Sequence, residues 1–95
     1  MAERFIGGWV SAKGQHLKGS GFVSSRTSTG HYTIVFEPRF QNIYTVVATQ
    51  TPLWEANTRD NAILIEITNE YCRVKTGDDK GIESDRNFTF LAFGT

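Results

Sequence analysis

The sequence predicts an all-β fold, an antiparallel β-sandwich of jelly-roll type with about six to seven strands. Three observations lead there. Short runs rich in Val, Ile, Thr, Phe and Tyr are separated by Gly, Asn, Asp and Ser. Turn signals recur about every eight to twelve residues, the spacing of sandwiches and jelly rolls. No window repeats apolar residues at three- and four-residue steps over three turns, so no helix is expected. At 95 residues the chain is long enough for one domain, taken as residues 1–95.

The first expected strand runs from Ile6 to Ser11. Gly21–Thr27 and His31–Glu37 form a hairpin around Ser28-Thr29-Gly30, where Gly30 can take positive φ. In the second arm Tyr32, Ile34 and Phe36 share one face, and Pro38 ends the strand because it cannot donate to a ladder. Asn42–Thr51 follows and closes at Pro52. In Asn61–Thr68, strict alternation puts Ile63, Ile65 and Ile67 on one face and Leu64, Glu66 and Thr68 on the other. Asn69-Glu70 turns the chain into Tyr71–Thr76. The last strand, Arg86–Gly94, alternates Phe88, Phe90 and Ala92 with Thr89, Leu91 and Phe93. Two longer loops remain, TPLWEANTRD (Thr51–Asp60) and GDDKGIESD (Gly77–Asp85), and loops of that length in a small domain are where binding tends to sit.

Several strands carry unbroken apolar runs: Ile34-Val35-Phe36, Val46-Val47-Ala48, Ile63-Leu64-Ile65 and Phe90-Leu91-Ala92-Phe93. A sandwich strand buries every second residue, and the others should be polar where they meet water. Val35, Val46, Leu64, Leu91 and Phe93 are therefore outer-face candidates. Contiguous apolar outer residues mark an interface, so the chain is expected to associate with copies of itself.

GSGFVSSRTSTGHYTIVFEPRF, then YTVVATQ, then RNFTFLAFG resemble the pattern of H-type lectin-like domains and of receptor-binding tip domains of phage tail fibres. The shared features are a Gly-aromatic-Thr-hydrophobic-Phe strand, a Val-rich strand and a final aromatic-hydrophobic-Ala-aromatic-Gly strand. The likeness spans roughly Gly19 to Gly94. It implies a homotrimer that recognises carbohydrate or another cell-surface receptor, and association with a virion or tail. Sugars in such lectins lie in shallow sites between subunits. The Trp-His pair those lectins place before the last strand does not occur in GDDKGIESD, and Asn61–Thr68 contains no Arg; Arg59 lies just before it.

Within LWEANTRDN, Trp54 could stack on the C–H-rich face of a sugar while Glu55, Asn57, Arg59 and Asp60 bond its hydroxyls. Alternatively Trp54 packs as a lid or between subunits. Asp78, Asp79, Glu83 and Asp85 form either a calcium loop, although their spacing matches no defined one, or a solvated acidic turn. His16 and His31 have no second histidine or cysteine at metal spacing. No metal or cofactor is expected.

Ten basic and ten acidic residues give zero net charge, which argues against nucleic-acid binding. No segment approaches the ~20 apolar residues of a membrane span. The N-terminus shows no signal-peptide run, so synthesis in the cytoplasm is expected. Cys72, the one cysteine, reads as a small buried hydrophobe. No nucleophile elbow, zinc helix motif or phosphate loop is present. The expected function is non-enzymatic: a trimeric binding module for surface carbohydrate. Its alternative is a structural trimerisation or capping module of a fibre without a small ligand.

Overall fold

Tyr32, Ile34 and Phe36 are all buried, as are Phe88, Phe90 and Ala92. These two alternating sets are the facing inner surfaces of two sheets. The computed structural model describes residues 2–51 and 56–95. It contains eight strands and no helix among the described residues: β1 (Arg4–Val10), β2 (His16–Ser20), β3 (Phe22–Ser28), β4 (His31–Phe36), β5 (Ile43–Gln50), β6 (Asn61–Ile67), β7 (Tyr71–Gly77) and β8 (Phe88–Gly94). One sheet has the order β2-β1-β8-β5 and the other β3-β4-β7-β6. Every pairing is antiparallel. The chain is thus a four-on-four β-sandwich.

The core is continuous between the sheets. Ile6, Val10, Val46, Phe88, Phe90 and Ala92 meet Phe22, Tyr32, Ile34, Phe36, Cys72 and Val74. Aromatic rings cross the interface edge-on: Phe22 against Phe90 at 4.8 Å and Tyr32 against Phe88 at 5.1 Å between centroids. Burial pushes the Cys72 thiol up to about 12, so it is no nucleophile at neutral pH.

The structure corrects the expected strand list. Among the described residues there are eight strands, not six or seven, because His16–Ser20 is a strand rather than a glycine-rich connection. Every residue of β2 is exposed, so it carries no alternation to reveal it. What builds β2 is an edge ladder to β1 and Gly19 at φ +96°, where an added Cβ would overlap the Gly7 carbonyl. His16 stacks on Phe22, 4.1 Å between centroids, and covers that end of the core.

Two outer-face assignments also change. Val46 is 6% exposed and points inward, and Leu64 packs against the core. In β6 Ile63, Ile65 and Ile67 are exposed at 42%, 40% and 42%, in keeping with the expected alternation, while the register to β7 shifts at Ile65. Ile63 lies opposite Lys75 on the outside, while after the shift Glu66 lies opposite Arg73. Val35, Leu91 and Phe93 do face outward. Val35 lies between Val23 and Tyr71 in one cross-strand row, which explains the three apolar neighbours Ile34, Val35 and Phe36.

Candidate functional site

Residues 56–60 and the Gly77–Asp85 loop meet at one end of the sandwich, where side-chain hydrogen bonds tie down the adjoining strand ends. Gln50, at the end of β5, reaches across to the other sheet. Its Nε2 donates to the carbonyls of Asn61 (2.8 Å) and Gly77 (2.9 Å), which start β6 and end β7. Its Oε1 accepts from Arg86 Nη1 at 3.2 Å, and the same nitrogen lies 3.2 Å from Asp60 Oδ1. The two ionic side chains are only 13% and 9% exposed.

Asp60 also organises its own turn. Its Oδ2 accepts from the Asn57 amide at 2.7 Å, and Asn57 Oδ1 accepts from the Arg59 amide at 2.9 Å. These bonds satisfy amides that no ladder reaches. Arg59 is left projecting at the rim. Of the five residues expected to bind ligand, Asn57, Arg59 and Asp60 are thus brought together, with Asp60 engaged by Arg86 and by the turn. Trp54 and Glu55 lie outside the described residues.

The second loop folds back as a small hairpin. Gly77 and Glu83 form a bridge, and Asp78 Oδ1 accepts from the amides of Lys80 and Ile82, both at 2.9 Å. The Ile82 amide first, then that of Lys80, hold the Asp78 carboxyl below its ordinary value. Thr76, 1% exposed, anchors the return strand by donating from Oγ1 to the Ser84 carbonyl at 2.6 Å.

The other carboxylates go to separate partners. Asp85 accepts from the Gly30 amide at 2.7 Å and from Arg26 Nε at 2.9 Å. Partial burial raises its pKa, but the Gly30 bond and Arg26 outweigh it and the net direction is downward. Glu83 Oε2 lies 3.1 Å from His31 Nε2. Among the described residues, no group of three His, Cys, Asp or Glu gathers as a cation would require.

Between the loops lies an open cleft of about 270 Å³. Arg59 stands at its rim, Asn61, Ile63 and Lys75 line it along β6 and β7, and Asp78 and Glu83 line it from the hairpin. Ile63 and Lys75 are cross-strand partners, and Lys75 is paired in turn with His31 on β4. The site therefore has one aliphatic floor residue within a ring of polar groups. Sequence reasoning reached Arg59 and both loops, with Asn61 as the last residue of LWEANTRDN, but gave no individual role to Asn61, Ile63 or Lys75. Asn61 and Ile63 alternate with the buried Ala62 ahead of the register shift in β6, and Lys75 lies opposite Ile63.

No family model matches the chain, and neither a curated protein nor a solved structure does so. No helix among the described residues is long and apolar enough to cross a membrane.

Proposed function

We propose that the chain is a non-enzymatic binding domain of lectin-like kind, a homotrimer that recognises carbohydrate on a cell surface. The observation that carries this reading is the cleft where the two long loops converge, with Ile63 inside a ring formed by Arg59, Asn61, Lys75, Asp78 and Glu83. A sugar presents an aliphatic C–H face and a hydroxyl rim, and it needs that combination of contacts. Loops Thr51–Asp60 and Gly77–Asp85 supply most of the polar groups, and the Gln50–Arg86–Asp60 network holds their bases in place before ligand arrives. Pre-ordering of this kind lowers the cost of binding.

A shallow site of this size binds one sugar weakly. Three copies on one rigid body raise avidity by about 10²–10⁴ where their spacing fits the surface. The sequence resemblance to H-type lectin-like and tail-fibre tip domains agrees with this mode of action. Trp54 and Glu55 complete the ligand set in this reading.

A second reading is a trimerisation or capping module with no small ligand. It is favoured by the apolar outer face of the β2-β1-β8-β5 sheet, where Phe5, Val47 and Leu91 are exposed. A glycan array probed with the labelled protein separates the two. Hits sharing one terminal sugar, lost on Trp54→Ala, support the binding domain. A blank array from folded, associated protein favours the cap.

A further inference from the structure

The hydrogen-bonding groups of the cleft are unbalanced. Among the described residues, the Arg59 guanidinium and the Lys75 ammonium make no ion pair and no hydrogen bond. Asn61 Oδ1 accepts from the Ala62 amide at 2.8 Å, which leaves its NH₂ as a donor. The acceptors on the opposite wall are already served. Asp78 Oδ1 takes two backbone amides, and Glu83 faces His31 at 3.1 Å.

The open valences of the cleft are therefore donors, two of them cationic. A neutral sugar brings hydroxyls that donate as readily as they accept, and it would leave this excess unused. From this imbalance we infer that the cleft takes an acidic saccharide, with a sugar carboxylate held by Arg59 and Lys75 and the ring lying over Ile63. A guanidinium fork matches a carboxylate edge-on, and an ammonium adds a point charge from any direction. Asn61 then donates to a ring hydroxyl, and Glu83 accepts from one.

This inference rests on the carbohydrate-binding reading, and its test separates the two. Titration calorimetry would compare sialyllactose and a glucuronic-acid-terminated oligosaccharide with their methyl esters, and with lactose as a neutral control. Esterification removes the charge and keeps the ring, so this arm needs no protein variant. The expected result is at least about a tenfold loss of affinity on esterification of the acid that binds. A similar loss is expected in Arg59→Gln and in Lys75→Gln, both exposed enough to leave the fold intact by circular dichroism.

Acid and ester binding equally, or neutral sugar binding unaffected by either substitution, would overturn the acidic-saccharide inference and leave the lectin-like reading standing. No binding by any glycan overturns both. A sulfated oligosaccharide serves as a further arm. Affinity that only tracks its charge number and survives both substitutions would mark diffuse attraction, and would also overturn the inference.

Discussion

Arg86 Nη1 lies 3.2 Å from Asp60 Oδ1, and neither side chain is more than 13% exposed. The pair joins the segment before β8 to the loop before β6, and through Gln50 it also ties the two sheets at the cleft end. An ion pair this enclosed is costly to break, because the partner left behind keeps a charge without solvent. Asp60→Ala should therefore destabilise the fold by about 3 kcal/mol, a fall in Tm of about 12–24 °C for a domain of this size. Thermal unfolding followed by circular dichroism measures it. A change under about 0.5 kcal/mol would show that the pair behaves as an exposed one.

Tyr32 makes a second link. Its hydroxyl donates to the Ala12 carbonyl at 2.8 Å and accepts from the Arg86 amide at 3.1 Å, while its ring is 1% exposed. Tyr32→Phe keeps the packing against Phe88 and leaves both backbone groups without this partner. The expected cost is about 1–3 kcal/mol, read as a lower urea midpoint with the slope unchanged. A changed slope would point instead to a less compact native or denatured state.

The pH dependence follows from Asp85 and Asp78, both with carboxyls held below the ordinary value. A folded-state pKa below the unfolded one gives stability that is present above the unfolded value, about 3.9 for Asp, and is lost as pH falls through the folded value. Stability should thus fall below about pH 4. Asp85→Asn cannot titrate, so its Tm should drop less between pH 5 and pH 3 than that of the parent. Its Tm at pH 7 should be lower, since Arg26 loses a charged partner. Parallel Tm curves for the two proteins would remove Asp85 from the acid response.

The sandwich was legible in the sequence where alternation was strict and large side chains carried it. Tyr32-Ile34-Phe36 and Phe88-Phe90-Ala92 are such cases, and both face the core. The edge strand β2 was not legible, because HLKGS is exposed at every position and contains no buried side chain to set a period. The Ile63-Ile65-Ile67 repeat was legible and all three are exposed, but the register shift at Ile65 that sets Glu66 opposite Arg73 was not. A bulge is a backbone event with no side-chain signature here. The two long loops were legible by their length. Their convergence was not, since it depends on Gln50 and Arg86 bonding residues distant in sequence.

The outer face of the β2-β1-β8-β5 sheet gives the prediction on assembly. Phe5 stacks on Phe93 at 4.5 Å between centroids, and Tyr44 meets Phe93 edge-on at 5.3 Å. Leu91 lies in the same sheet opposite Val47 on one side and Gly7 on the other. Phe5 is 67% exposed and Val47 59%, so water meets a continuous apolar surface in the single chain. If the proposed trimer forms through this face, light scattering should give three times the 10.7 kDa chain mass. Leu91→Asp should place a charge at the centre of the contact and reduce the mass to that of one chain, with the circular dichroism spectrum unchanged. Val35→Asp supplies the control, because Val35 faces outward from the opposite sheet and its substitution should leave the trimer intact. Parent protein that stays at single-chain mass up to about 100 µM would rule the trimer out, since association is driven by concentration. Dissociation by Val35→Asp but not by Leu91→Asp would move the contact to the other sheet, onto the row formed by Val23, Val35 and Tyr71.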